Sequence, residues 1–323
     1  MKYLLILFTC FSFGQFNPIF FVSGTPNQFI SNWNTSNTST GSSASNQVKL
    51  PLISTGTYSM TVFWGDGSSD LITVWNAAST THTYSSSGLY QIRIAGTCTG
   101  WQFNDSGDKL KILSVSKWGP LKLGTNQGFY FFGCTNLVLN SVSDVLNLTG
   151  TTSLGNAFTS CLSLTTVNRM NEWNTASVTA MNGLFQACTL FNQNISNWNT
   201  GNVTTMGNMF TLASSFNQNI GAWNTASVTA MNGTFNGATA FNQNIGAWNV
   251  SNVTGFSSFM TGKTAANFST ANLDAIYNGW SSRAVKPGIV ITFGSAKYTA
   301  GSSAGRAILT GAPNNWVITD GGI

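Results

Sequence analysis

The sequence predicts a mainly β protein: a small Ig-like β-sandwich followed by a right-handed, leucine-rich-repeat-like β-solenoid with a short α/β C-terminal cap. Three observations predict this fold class. A 25-residue block recurs in the second half, short alternating runs bounded by Gly, Ser, Asn and Asp precede it, and the C-terminal segment has helix-like apolar spacing. The predicted units are a signal peptide (1–14), an N-terminal segment (15–27), the sandwich (28–103), the solenoid (104–262) and the cap (263–323).

The composition favours a repetitive extracellular β protein over a cytosolic enzyme. Hydrophobic residues make up 42% of the chain and aromatic residues 13%, which is ample for a packed core. Only 7% of residues are charged, so solubility depends on Asn, Thr, Ser and Gly. The net charge of +5 comes from scattered Lys and Arg residues. Without a basic cluster, no nucleic-acid partner is expected.

The N-terminus has the pattern of a signal peptide. Met1-Lys2-Tyr3 precedes the short apolar run LLILFTCFSFG, and small residues stand before a cleavage point at Gln15. Hydrophobic residues continue through 16–22, which leaves an uncleaved anchor as an alternative. We expect a secreted protein, extracellular or at the cell surface, with no transmembrane helix in the mature chain. A virion surface is the alternative location.

The region 28–103 has the alternation of a small all-β unit. The runs TYSMTVFW, DLITVW and LYQIRIAG alternate apolar and polar residues and end at turn-forming residues. This punctuation predicts the short strands of a sandwich.

The repeat is strict between residues 191 and 260. FNQNISNWNTGNVTTMGNMF is followed, at intervals of 25 residues, by FNQNIGAWNTASVTAMNGTF and FNQNIGAWNVSNVTGFSSFM. Such a period predicts one solenoid coil per copy, with equivalent apolar residues about 4.8 Å apart and a short parallel strand at Val-Thr-x-Met. Asn side chains would bond between coils or satisfy turns. The predicted core ladder consists of Trp173, Trp198, Trp223, Trp248, Phe191, Phe216, Phe241, Ile195, Ile220 and Ile245.

Upstream, the repeat continues with intervals of 27 residues. Phe131, Phe158 and Phe185 each precede a cysteine by three residues. Equivalent cysteines would have Cα atoms about 5 Å apart, within disulfide range. In an oxidising compartment this predicts disulfides between Cys161 and Cys188 and between Cys98 and Cys134. A reduced, buried cysteine ladder is the alternative.

The C-terminal segment is suited to cover the last coil, whose apolar ladders and strand edges need a cap. The spacing of apolar residues in 270–280 predicts a helix, with Thr270 as N-cap and Asn278-Gly279 as its end. A strand (GIVITFG), a short helix (SSAGRAILTGA) and a final strand (NNWVITDGG) should follow.

The motifs together resemble a known family. The FNQNI-x-x-WN-x-x-x-VT-x-M-x-x-x-F repeat resembles the BspA-type leucine-rich repeat surface proteins over roughly residues 108–262. Trp64-Gly65-Asp66-Gly67 and the later His82-Thr83-Tyr84 resemble the polycystic-kidney-disease (PKD) type of Ig-like domain. The resemblance implies a surface-exposed solenoid; some family members are adhesins that bind host matrix proteins or mediate co-aggregation. It does not imply catalysis.

The sequence offers little catalytic chemistry. His82 is the single histidine, and its strand motif favours a structural hydrogen-bonding role. The eight acidic residues lack the spacing of a glycosidase pair, so a carbohydrate-active enzyme is the weakest of three hypotheses. Asp66 and Asp70 are weak candidates for calcium, but Asp66 more simply accepts backbone N–H groups of a turn. No catalytic residue, metal or cofactor is expected.

The residues most suited to bind a partner are exposed ones repeated between the core positions. The predicted face consists of Asn199, Asn224, Asn249, Thr204, Thr229 and Thr254. It could bind a protein, a glycan or ice, or be inert. The first hypothesis is therefore adhesion to, or recognition of, a protein or glycan through this face. The second is a structural subunit that self-associates into an extracellular filament or virion fibre through open solenoid ends or β edges.

Overall fold

The computed structural model describes residues 27–125 and 128–323, and this part of the chain is mainly β. The predicted signal peptide, and the N-terminal segment up to residue 26, lie outside the described residues. Among the helices within the described ranges, none has the length and apolar character to cross a bilayer.

Residues 28–122 form a mainly antiparallel sheet. Its strands are β1 (Gln28–Asn34), β3 (Thr57–Phe63), β4 (Ser69–Ile72), β6 (Leu89–Thr99), β7 (Ile112–Lys117) and β8 (Leu121–Lys122). The order is β4-β3-β6-β1-β7, and β8 runs parallel to the end of β6. β2 (Gln47–Lys49) and β5 (Thr81–Thr83) pair separately. In β3, Tyr58, Met60 and Val62 are buried while their neighbours face outward, as alternation requires.

The sheet continues into the region predicted as solenoid. β7 pairs with β1, which places residues beyond 103 in the N-terminal sheet. On its other side, Ser114 of β7 forms a parallel bridge with Val138. The sheet edge therefore serves as the neighbour of the first repeat copy, and one hydrophobic core runs through both.

A buried ion pair fastens this junction. Asp108 and Lys111 lie 3.3 Å apart with no exposed side-chain surface. Asp108 accepts hydrogen bonds from the N–H and hydroxyl of Ser43 and the N–H of Lys49. Lys111 Nζ donates to carbonyls within residues 43–47. Because each charge has several partners, the pair holds the loop before β2 against the chain leading into β7.

Successive repeat copies stack in parallel register. Parallel bridges link Ser153, Ala180, Thr205, Ala230 and Gly255 in turn. The side chains of the predicted ladder are buried, and the tryptophans form a column with ring centroids 6.1 to 6.5 Å apart and planes within 12° of parallel. The indole N–H groups of Trp198, Trp223 and Trp248 also donate to a carbonyl of the preceding copy, as from Trp248 to Ile220 at 3.0 Å, whereas that of Trp173 is buried without a partner among the described residues. The column is thus both packed and hydrogen-bonded.

Two positions per copy have a left-handed backbone. One row consists of Gly133, Ser160, Ala187, Leu212, Gly237 and Gly262. The other consists of Phe129, Asn156, Gly183, Asn208, Gly233 and Ser258. In the second row, the amide of Asn156 lies over Gly183 and that of Asn208 over Gly233, where a Cβ atom would overlap it. Thr159 and Thr211 donate to these glycine carbonyls at 2.6 Å. The copies therefore alternate between two types.

The four cysteines in the described part of the chain are free thiols, so the predicted disulfides, Cys161 to Cys188 and Cys98 to Cys134, are not formed. Cys161 Sγ donates to the carbonyl of Phe131 at 3.1 Å, and Cys188 Sγ to that of Phe158 at 2.9 Å. The thiols point at the main chain of a preceding copy instead of at one another. Cys98 lies in β6, opposite Tyr58 of β3. Burial raises the pKa of Cys188 to about 12, which keeps its thiol protonated.

The C-terminal segment has the elements that the sequence predicts. They are α1 (Thr270–Ser281), β9 (Val290–Thr292), α2 (Ser303–Thr310) and β10 (Val317–Thr319), and β9 and β10 are parallel. Ser269, one residue before the predicted cap, accepts the N–H of Asn272. Trp280 of α1 donates to the carbonyl of Ile245 at 3.2 Å. The helix thereby continues the series of indole-to-carbonyl hydrogen bonds that Trp223 and Trp248 make to Ile195 and Ile220.

Lys263 occupies the last of a series of equivalent repeat positions. The earlier members are Cys188, Ala213 and Ala238, at intervals of 25 residues. Its buried Nζ donates to the carbonyls of Ala238, Thr239 and Phe241, at 2.5, 3.1 and 2.6 Å. One ammonium group thus supplies the hydrogen-bond donors for three carbonyls of the last regular copy.

Replacing Gly233 by alanine should test the alternation of the copies. The new Cβ would overlap the Asn208 amide at a positive φ, so we expect a loss of about 2–4 kcal/mol in the free energy of unfolding. Gly262→Ala is the control, because it also has a positive φ but open space around it, and should cost about 1 kcal/mol. Equal losses in urea unfolding would contradict the packing explanation.

Replacing Lys263 by methionine should weaken the C-terminal end. The carbonyls of Ala238, Thr239 and Phe241 would lose their donor while staying buried, for a loss of about 2–5 kcal/mol. In the variant, amide hydrogen exchange should become faster than in the unmodified chain at residues 238–241, and this acceleration should be larger than at residues 188–191. Unchanged exchange at 238–241 would disprove the capping role.

Candidate binding face

The two outward rows of the repeat stack lie on either side of a buried valine. In Ser177-Val178-Thr179 the valine is buried and both neighbours face outward, with Ser177 in the turn that precedes the valine and Thr179 on the segment that follows it. The same holds around Val203, Val228 and Val253. We call the two rows together the threonine face: Ser177, Asn202, Ser227, Asn252 and Thr179, Thr204, Thr229, Thr254.

Hydrogen bonds between copies fix the threonine row. The N–H of Thr229 donates to the carbonyl of Thr204 at 2.8 Å, and its hydroxyl donates to the same oxygen at 3.2 Å. Thr204 and Thr254 bond in the same way to the threonine before them. Because each hydroxyl proton is committed to the main chain, each Oγ1 has one orientation and keeps its lone pairs for an external donor.

The companion row is held in the same way. Ser177 and Ser227 donate through their hydroxyls to carbonyls of the preceding copy, at 2.9 and 2.7 Å. Asn202 and Asn252 do so through Nδ2, at 2.8 Å each. Serine and asparagine alternate along this row, with the period of two copies that the left-handed positions 156, 183, 208 and 233 also have. The sequence carries this signal in the Ser/Asn-Val-Thr triplets, but our sequence prediction did not include the row.

The asparagines predicted for the face lie before the turn, three residues ahead of the companion row. Asn199 precedes the turn in which Val203 N–H donates to Thr200, and its Oδ1 accepts the N–H of Gly201 at 3.0 Å. Asn224 and Asn249 have the same role. Within the described chain no acceptor bonds their Nδ2 atoms, so these remain donors at the border of the face. The first asparagine of FNQN instead bonds between copies, as in Asn217 Oδ1 to Asn242 N–H at 2.8 Å.

The surface of the repeat stack is uncharged. Residues 173–262 contain no Asp, Glu, Lys, Arg or His. Every aromatic side chain in this range is buried. The face thus offers short, neutral, conformationally fixed groups and neither ion-pairing nor aromatic contacts.

The weak calcium candidates have separate structural roles. Asp66 Oδ1 accepts the N–H and the hydroxyl of Ser68 at 2.9 and 2.5 Å, and Oδ2 lies 2.7 Å from His82 Nε2. Asp70 accepts the indole N–H of Trp64 at 2.7 Å. Among the residues that the structure describes, no group of three or more His, Cys, Asp or Glu side chains could hold a metal ion.

Ser68, His82 and Asp66 have the composition of a catalytic triad but not its geometry. The Ser68 hydroxyl bonds to Asp66 and lies 3.4 Å from the same His82 nitrogen that Asp66 contacts. A triad needs the carboxylate and the nucleophile on opposite ring nitrogens. The imidazole is stacked on Trp64, with centroids 4.8 Å apart, which suits a packing role.

Comparison with protein-family models found a match over the repeat stack. Residues 152–273 match the family model described as "Mycoplasma protein of unknown function, DUF285". The match covers the threonine face and the start of α1. Comparisons with curated proteins and with solved structures gave no match.

The Asp66 turn should give the N-terminal sheet an acid-sensitive component. Burial opposes ionisation of Asp66, but hydrogen bonds from Ser68 and His82 outweigh it and lower the pKa to about 2. A folded pKa below the unfolded value of 3.8 stabilises the fold above that value, and this contribution is lost as the pH falls toward 2.

We therefore expect Asp66→Asn to reduce stability by about 1 kcal/mol at pH 5, with the difference from the unmodified chain shrinking toward pH 2. Thermal unfolding between pH 2 and 6 measures this. Asp70→Asn retains an acceptor for the Trp64 indole N–H and should change the stability little at pH 5. A penalty for Asp66→Asn that is constant with pH would argue against the electrostatic explanation.

Proposed function

We propose that the protein is a non-enzymatic extracellular surface protein that recognises an external partner through the threonine face. In this proposal the repeat stack is a leucine-rich-repeat-like solenoid of the BspA type, and the N-terminal sheet is an Ig-like module of the PKD type. The observation that carries the proposal is the in-register row of exposed Thr179, Thr204, Thr229 and Thr254.

The row is suited to recognition because it is organised before any partner binds. The side chains already have fixed orientations through bonds to the main chain, as Thr229 does to Thr204. Binding then costs little side-chain entropy, and weak contacts repeated along the row add together. An extended concave or flat repeat surface is the usual contact region of repeat proteins.

The extracellular location rests on the N-terminal sequence pattern and on the composition. The matched family description states no function, so it adds no activity to the proposal. The absence of charged groups over 173–262 also supports a role without catalysis, because acid–base chemistry needs titratable side chains.

The covered ends of the stack favour recognition over end-to-end assembly. A filament built through solenoid ends needs exposed ladders at both ends. Here Val138 of the first copies pairs with β7, and Trp280 and Lys263 cover the last regular copy. Growth by addition at these ends would require the sheet or the cap to detach.

The test is binding of the whole chain to panels of matrix proteins, glycans and ice. Thr229→Lys places a long charged group in the face, and should lower binding about tenfold or more in the arm that contains the partner. Thr239→Lys is a matched control: Thr239 is also exposed and donates to a preceding copy, at 3.3 Å, but lies outside the face.

No binding in any arm, or equal losses in both variants, would refute recognition through the threonine face. Light scattering across a concentration series checks the alternative, since ordered growth with concentration would support a filament subunit.

A further inference from the structure

The chemistry of the threonine face narrows the class of partner, and this inference rests on the function proposed above. Protein interfaces take most of their binding energy from buried aromatic and arginine anchors. Ligand pockets for small molecules are concave and lined by apolar and aromatic groups. The threonine face lacks the aromatic and arginine side chains that such sites use, since residues 173–262 bury all their aromatic side chains and carry no charge.

What the face does offer is a neutral lattice. Parallel bridges join neighbouring copies beside this row, and the strand spacing at such bridges is about 4.8 Å, so the main-chain positions that carry Thr179, Thr204, Thr229 and Thr254 follow one another at about this distance. The companion row runs beside them two residues earlier in each copy. Both rows are anchored to the main chain, so the spacing is not blurred by rotamer motion.

Such a regular array of fixed hydroxyl groups is better suited to bind ordered water than to bind a protein or glycan chain. A hydroxyl whose proton is committed accepts hydrogen bonds from water at a fixed point, and fixed waters bridge to further waters at little entropic cost. The repeat distance is close to a lattice repeat of hexagonal ice. Charged side chains would orient water around themselves and disturb that order, and none is present on the repeat stack between 173 and 262.

We propose that the partner of the threonine face is the surface of ice, held through waters anchored on the rows of Thr179 and Ser177. The ligand carries no charge, so binding is insensitive to moderate ionic strength except through the freezing point. The same lattice does not require a pocket, which fits an outward face formed by parallel rows.

The experiment uses the full chain, labelled with a fluorophore, and a single ice crystal grown slowly in its presence, together with an ice recrystallisation assay. The unmodified chain should be incorporated into ice and should slow crystal coarsening. Thr229→Lys should need about tenfold more protein for the same slowing. Thr239→Lys should match the unmodified chain, and circular dichroism of both variants confirms that they fold alike.

The outcomes separate the two proposals. Exclusion of the unmodified chain from ice overturns the ice inference, and so do equal effects of Thr229→Lys and Thr239→Lys in the ice assays. If a protein or glycan is then bound in a way that depends on Thr229, recognition through the face stands with a different partner. If no arm depends on Thr229, both proposals fail.

Discussion

Each repeat copy can bury its apolar side chains only against the copies on either side, so stacking between copies determines the rest of the structure. One copy presents Phe, Trp, Val and Met along a narrow edge and has no core of its own. The parallel bridges and indole-to-carbonyl bonds hold neighbours in a single register. The outward rows have the same register. Their short polar side chains therefore form an ordered surface without ion pairs between them.

The same requirement explains the two ends. Any end copy would leave an apolar column and a set of carbonyls without partners. At one end β7 substitutes for a neighbour by joining both β1 and the first copies. At the other, a helix supplies Trp280 and a lysine supplies three donors. A strand at one end and a helix with a lysine at the other thus supply the partners that the end copies lack. The N-terminal sheet therefore contributes to the stability of the repeat stack.

Much of this architecture could be predicted from the sequence, since a strict period transmits register directly. The positions of the buried ladder and the helix over 270–280 follow from apolar spacing alone. The role of β7 could not be predicted, because pairing with a strand 80 residues earlier leaves no local signal. The disulfide prediction failed for a different reason. Spacing places the cysteine Cα atoms, whereas the side-chain torsion of Cys161 directs its sulfur to the Phe131 carbonyl. The lack of charged residues over 173–262 is evident from the sequence. Which of these residues form the exposed face depends on the side-chain orientations in the structure.

The alternation of Asn208 and Gly233 bears on how such an array changes in length over generations. Because each asparagine amide lies over a glycine of the next copy, a gene that lost one copy would bring Asn156 against Asn208, with no space for both amides. Loss or duplication of two adjacent copies keeps every asparagine opposite a glycine. A pair of copies is therefore the unit by which this array can lengthen or shorten while keeping the packing of its asparagines against glycines.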